Sequence, residues 1–267
     1  MARIEGDIVT EEKKLGREVE REQKKRDVAE KKRLAENEKR MKEVGGLLNK
    51  HAKMHQETNR SLEQLQNLPE EITVLFMASN PLDAPQLRLD EEARTIQEMI
   101  RKSEHRNSVS FQTRWAIRAL DVIQAINEEN PTIIHFSGHG SDQDEVVFQD
   151  NQGNAKLVSK EAIVQTMMST SDEIKLVFFN TCFSYGQAQE VVQHVDAAIG
   201  MTTTIGDEAA RVFAAQFYSA IGFGLSVKQA FEQGKAALML EGIPEENTPQ
   251  LYVKDGLDPS VLIIVKP

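Results

Sequence analysis

Two stretches decide how this chain is read: Thr132-Ile133-Ile134-His135-Phe136-Ser137-Gly138-His139-Gly140 and Lys175-Leu176-Val177-Phe178-Phe179-Asn180-Thr181-Cys182-Phe183-Ser184. Each starts as a short apolar run without a polar alternate, the signature of a strand buried on both faces of a parallel sheet. Each then breaks into small and polar residues, as a strand does where it leaves the sheet. In an open α/β sheet, ligands and reacting groups collect outside the carboxyl ends of the strands. His139, set between two glycines, and Cys182, the only cysteine of the chain, fall at that edge together if the two strands are neighbours. The glycines permit unusual backbone dihedrals and let an amide approach a substrate closely. An imidazole beside a thiol favours the thiolate, and the thiolate is the nucleophile of acyl-transfer chemistry.

Working outward, the same texture of apolar runs alternating with amphipathic segments extends from Pro69 to the end of the chain. It predicts strands at 72–78, 109–115, 132–137, 174–181, 195–201 and 261–265. Helices are expected between them at 90–102, 117–128, 159–168, 185–194, 207–221 and 227–240, each with apolar residues at threes and fours. Residues 145–157, containing Asn151-Gln152-Gly153, read as a small hairpin inserted after the third strand. This is an α/β domain with a mainly parallel sheet of about six strands and helices on both faces.

Residues 1–68 differ in kind. From Thr10 to Val44 the chain is dominated by charge, with pairs at helical spacing such as Glu22 with Arg26, Glu36 with Arg40 and Glu38 with Lys42. Gly45-Gly46 is expected to break the helix. Beyond it, Leu47, Met54, Ser61 and Leu68 follow one heptad line and Leu48, His55 and Leu62 its neighbour, a weak helical hairpin or coiled-coil face. The domain plan is therefore a charged helical adaptor or oligomerisation segment, 1–68, ahead of a globular domain, 69–267.

Composition bounds the rest. Of 267 residues, 40% are apolar and 28% charged. One cysteine permits no internal disulfide and no cysteine cluster for a metal, so a reducing, cytoplasmic setting is expected and neither metal nor cofactor is called for. Nothing resembles a signal peptide or a membrane span, and no membrane role is expected. Residues 1–68 hold 17 of the 32 basic side chains and 14 of the 42 acidic ones, which leaves the remainder at −13. Such a body does not suit nucleic acid, and basic protein segments fit its field better.

The order apolar strand, Ser-Gly-His-Gly, hairpin, helix, apolar strand, Asn-Thr-Cys-Phe-Ser resembles the caspase-like peptidases, and in detail their CHAT branch in bacteria. Further parts of the resemblance are Phe76-Met77-Ala78-Ser79-Asn80-Pro81, Leu87-Arg88-Leu89-Asp90-Glu91-Glu92, Ile199-Gly200-Met201 and Ile205-Gly206-Asp207-Glu208-Ala209-Ala210. It covers about residues 72–265. It implies a caspase-like fold with His139 as general base and acid, Cys182 as nucleophile, and the amides of Gly140 and Cys182 as oxyanion hole. The residue two before the cysteine lines the pocket for the side chain preceding the scissile bond in caspase relatives. Here it is the neutral Asn180, so a carboxylate for a basic substrate side chain falls to a neighbouring loop: Asp207 first, then Glu208, Asp142 or Asp144. Asp207 also reads as the start of a helix. His135, opposite Phe136 on its strand, is expected in a helix-covered core, and Ser137 and Ser184 in turns and caps.

The resemblance implies a cysteine endopeptidase acting on a protein substrate through a thioester, as a regulated effector in bacterial immunity or cell suicide. Its partners would be an activating or adaptor protein bound through residues 1–68, with homo-oligomers a further expectation. A catalytically inactive caspase-like binding module is the alternative. A nucleotide-binding domain is a weaker one, since the chain lacks a phosphate-binding glycine loop after its first strand.

Overall fold

In the computed structural model, which describes residues 2–66 and 68–266, the chain divides into two units, Met1–Glu63 and Gln64–Pro267. The first is carried by one helix, α1 (Ala2–Gln66). The expected hairpin is absent: α1 runs through Gly45-Gly46 without a break. Glycine inside a helix costs about 1 kcal/mol relative to alanine but does not terminate it. The flanking Lys42-Glu43-Val44 and Leu47-Leu48-Asn49-Lys50 are helical on both sides of the pair. Ion pairs one turn apart line its surface, Arg26 with Glu22 at 3.6 Å, Arg40 with Glu36 at 3.0 Å and Lys42 with Glu38 at 3.1 Å. Val28, Leu34, Met41, Val44, Leu47, Leu48 and Met54 are exposed along it. No helix among the described residues is long and apolar enough to cross a membrane.

The second unit is built on a six-stranded sheet in the order β2-β1-β3-β6-β7-β8. Its strands are β1 (Ile72–Ser79), β2 (Val109–Arg114), β3 (Ile133–Gly138), β6 (Leu176–Asn180), β7 (Ala197–Met201) and β8 (Pro249–Val253). The first five are mutually parallel, and β8 runs antiparallel to β7 at the edge. The inserted hairpin, β4 (Glu145–Gln149) and β5 (Ala155–Ser159), forms a separate two-stranded sheet.

The unbroken apolar runs have a simple cause, since successive residues bury into different layers. From β1, Val74 and Phe76 enter one core while Leu75 and Met77 enter the other; Leu176 and Phe178 oppose Val177 and Phe179 in β6 in the same way. The first layer is closed by α2 (Leu89–Lys102), α6 (Asp207–Gly222) and α7 (Val227–Leu240). The second is closed by α3 (Ala119–Glu129), α4 (Lys160–Thr170) and α5 (Tyr185–Val191). Burial of each such aliphatic or aromatic side chain is worth about 1.5–3 kcal/mol.

The last strand departs from expectation. Residues 261–265 form no strand, although Ile264 and Val265 are buried in the first core. The sixth strand is Pro249–Val253. Periodicity cannot separate an apolar plug from a buried strand, and the opening proline, which lacks an N–H, reads as a poor strand former everywhere except at an edge.

Candidate active site

β1 leads to β2 on one side of the sheet, and β3 lies on its other side, so the strand order reverses between β1 and β3. The crevice of an open α/β sheet lies outside the strand ends at such a point. β3 and β6 are neighbours, and Ser137 pairs with Asn180 in their register. Two residues beyond this pair, the chains reach His139 and Cys182.

The close passage of the two loops is enforced by glycine. Gly138 has φ +152°, and a Cβ there would overlap the carbonyl oxygen of Ser79 at the end of β1. A Cβ on Gly140 would overlap the carbonyl oxygen of Cys182 and lie 3.2 Å from its nitrogen. The His139 loop thus rests on the peptide of Cys182. On either side of Gly140 the bonds to the hairpin run from Ser141 N to Glu145 O and from Val147 N to His139 O. This leaves the Gly140 N–H outside the ladder. Neither it nor the Cys182 N–H donates a hydrogen bond among the described residues, which suits both to receive a developing oxyanion.

His139 and Cys182 are both half-buried. The imidazole Nε2 lies 2.7 Å from the carbonyl oxygen of Pro85, in the loop between β1 and α2. A carbonyl only accepts, so Nε2 carries the proton and Nδ1 is left as the base. The loop is braced from within. Asn80 bonds both ways with Leu87, and Gln86 Nε2 donates to Pro81 O at 2.8 Å and Ala84 O at 3.1 Å. Among the described residues no hydrogen bond joins the imidazole to the thiol. Such contacts often close only when substrate is bound.

The cysteine loop is held from beneath. The Ser184 hydroxyl is buried, 2.7 Å from Thr181 O and 3.0 Å from Phe179 O, and accepts from Met201 N at 3.0 Å. Phe183, next to Cys182, has φ +53° and donates its N–H to Thr203 O. Ser184 is therefore a strut of the loop and does not cap α5, while Ser137, expected in a turn or cap, lies within β3, where its hydroxyl is turned to a buried carboxylate.

Behind the two loops lies a buried polar network. Glu92 of α2 is 3% exposed and His135 0%. Glu92 Oε1 lies 2.9 Å from His135 Nε2 and accepts from Asn180 Nδ2 at 2.6 Å, while Oε2 accepts from Ser137 Oγ at 2.5 Å. His135 Nδ1 lies 3.1 Å from the Tyr218 hydroxyl of α6. Burial, with the Glu92 carboxylate adding to it, pushes the Tyr218 phenol well above its ordinary value and keeps its proton available to His135. Phe76 and Phe178 enclose the His135 ring, with centroids 5.0 and 4.5 Å away, so this histidine belongs to the core.

The remaining expected residues are placed as follows. Asn180 is 4% exposed, and its Nδ2 is committed to Glu92 and, at 3.4 Å, to Ala210 O; its Oδ1 has no partner among the described residues. Asp207 opens α6, where Oδ1 accepts from Arg88 N at 3.2 Å and Oδ2 is 3.5 Å from Arg211 Nε. Asp144 has φ +59°, sits over Gly186, where a Cβ would come within 2.6 Å of its carboxylate, and is 3.8 Å from Lys160 Nζ. Asp142 and Glu208 are exposed. No group of three or more His, Cys, Asp or Glu side chains among the described residues converges to hold a metal ion. Sequence reasoning did not single out Pro85, whose part is played by a backbone carbonyl, or assign any task to Glu92.

A six-stranded, mainly parallel α/β sheet that presents a histidine and a cysteine from adjacent strand ends defines the class of caspase-like folds. Gingipain R (RGPB), described as an Arg-specific cysteine proteinase, is similar in fold: the TM-score is 0.52 at 12% identity, over 75% of this chain and 50% of that one. The CHAT domain family model matches residues 17–252, and the chain belongs to the CHAT domain family. A "Probable protease" of Gillisia limnaea is 22% identical over 150 residues, 55% of this chain and 26% of that protein. A "Roc-COR-CHAT protease" of an unknown prokaryotic organism is 22% identical over 206 residues, 74% of this chain and 19% of that protein. The chain spans about a quarter or less of the length of these two relatives.

Proposed function

We propose that the chain is a cysteine endopeptidase that cleaves a protein substrate through His139 and Cys182. The observation that carries this reading is the seating of Gly140 on the Cys182 peptide, with the adjoining His139 imidazole tethered at Nε2 to Pro85 O. Nδ1 of His139 takes the thiol proton as Sγ adds to the scissile carbonyl. The oxyanion is received by the N–H groups of Gly140 and Cys182. Nδ1 then returns the proton to the departing amine, leaving a thioester on Cys182. His139 next takes a proton from water as it attacks the thioester, and protonates Sγ as the acid product leaves.

A basic side chain before the scissile bond would draw on Asp207 and would have to compete there with Arg211. The long charged helix α1 offers a surface for an activating or adaptor protein or for another copy of the chain, which fits a regulated effector in bacterial immunity or cell-suicide signalling. The relatives named as proteases support the peptidase reading.

The test is covalent labelling of the full chain with a set of peptidyl acyloxymethyl ketones. Because Cys182 is the only cysteine, a labelled thiol is assigned without ambiguity. Labelling that is lost in His139→Ala and Cys182→Ala is expected. Labelling that persists in His139→Ala would overturn the dyad, and no labelling by any probe in the presence of the native partner would favour an inactive binding module.

A further inference from the structure

Between helix α2 and the two strands that carry His139 and Cys182, a single side chain reaches both strands. Ser137 stands two residues before His139 and Asn180 two residues before Cys182, and they are register partners across β3 and β6. Both donate to Glu92, Ser137 Oγ to Oε2 at 2.5 Å and Asn180 Nδ2 to Oε1 at 2.6 Å, so one carboxylate spans the two strand ends from above the sheet. His135 Nε2, 2.9 Å from Oε1, gives β3 a second anchor, and the Tyr218 hydroxyl holds the far side of that imidazole. The same helix follows the loop whose Pro85 carbonyl orients His139. Backbone pairing sets the register of β3 on β6, but it ends at Ser137 and Asn180. What aims the next two residues of each chain must therefore come from side chains and loop contacts.

We propose that Glu92 is a positioning residue for the His139–Cys182 pair, holding the ends of β3 and β6 at the separation the dyad needs through Ser137 and Asn180. This rests on the peptidase reading above. Glu92 does not face the reacting atoms, and it acts through the two residues it binds. Burial makes the arrangement demanding. A carboxylate excluded from water is tolerated where its oxygens are fully used, and here three donors use them. Removing it leaves Ser137, His135 and Asn180 without their acceptor in a closed space, free to rearrange just where the catalytic loops begin. Asn180 Oδ1 and Thr181 Oγ1 are already buried without partners among the described residues, so this end of β6 has little reserve of hydrogen bonding to hold it.

The experiment uses the full chain and alkylation of its single cysteine by iodoacetamide, read as the rate at pH 6 divided by the rate at pH 9. The higher pH reports accessibility, and the lower one reports assistance from the imidazole. Titratable groups around the two loops include His139, Glu92, Asp144 and, behind His135, Tyr218; Asp144 and Tyr218 are common to all the variants and cancel in the comparison. Glu92→Met is expected to lower the ratio about tenfold, toward the value of His139→Ala, with the rate at pH 9 little changed. Glu92→Gln still accepts from His135 and Asn180 and is expected to fall between parent and Glu92→Met. Ser137→Ala removes the contact nearest His139 while β3 keeps its anchor at His135, and it carries the test if Glu92→Met does not fold. A Glu92 that only stabilises the fold would lower the melting temperature and leave the ratio of the folded protein at the parent value. A collapse in His139→Ala without any change in the Glu92 and Ser137 variants overturns the positioning role alone. A ratio unchanged in His139→Ala overturns the dyad, and this proposal with it.

Discussion

The Nε2 atom of His139 lies 2.7 Å from the carbonyl oxygen of Pro85, 54 residues earlier in the chain. This contact sets the tautomer of the imidazole, with the proton on Nε2 and a free lone pair on Nδ1. In the proposed dyad a backbone carbonyl would do what a carboxylate does in a catalytic triad, and its position depends on the bracing of its loop by Gln86 and Asn80.

Replacing Gln86 tests that bracing without touching the dyad. Gln86→Ala removes the bonds to Pro81 O and Ala84 O and is expected to lower the kcat/KM for a cleaved peptide roughly 10- to 100-fold, since small misplacements of a catalytic group carry penalties of that order. The melting temperature should hardly move, because Gln86 is exposed. Unchanged kcat/KM would leave the Pro85 contact without a catalytic part.

Gly140→Ala places a methyl group where the Cys182 carbonyl oxygen already is. The loops must separate, which carries the Gly140 N–H away from the oxyanion position. Loss of one such donor typically lowers kcat by about 100-fold or more, and that is the expected fall. Circular dichroism should remain that of the parent. Retained turnover in a folded Gly140→Ala protein would remove Gly140 from the oxyanion hole.

Asp207→Asn separates two roles for one carboxylate. If it receives a basic side chain, cleavage after Arg or Lys falls far more than cleavage after an uncharged residue, by about 30-fold or more for a desolvated pair. The measurement is kcat/KM on paired fluorogenic peptides differing only at that residue. An equal fall for both peptides confines Asp207 to its bonds with Arg88 N and Arg211 at the start of α6. A parent enzyme that prefers an uncharged or acidic residue discards the basic pocket.

Deleting residues 1–63 is expected to leave a folded domain, because among the described residues both apolar cores are built from Ile72 onward. Circular dichroism and a cooperative thermal transition would check this, and labelling of Cys182 would show whether the site survives. Loss of the transition would show that α1 is needed for folding.

Much of the second unit was legible from its sequence. Strands β1, β3, β6 and β7 announce themselves because they are buried on both faces and leave long apolar runs, and α2 to α7 because each keeps an apolar stripe. The edge was harder. Pro249–Val253 is only half-buried and begins with a proline, whereas residues 261–265 look more like a strand but serve as a plug in the first core. Gly45-Gly46 does not end α1, since two glycines weaken a helix without terminating it.

What the sequence alone determined is the sheet edge at which the two candidate side chains, His139 and Cys182, sit. His139 and Cys182 each follow an apolar run by a fixed offset, and strand periodicity turns such an offset into a position. What only the tertiary structure decided is how those groups are held. Pro85 acts through a carbonyl that every residue has, and so leaves no mark in the choice of side chain. Glu92, lying in the first turn of an amphipathic helix, reads as an ordinary surface acid until α2 packs on the sheet and excludes water from it. Burial and hydrogen-bond partners arise between segments distant in the chain, 45 residues from Glu92 to Ser137 and 88 to Asn180, and no local pattern encodes them.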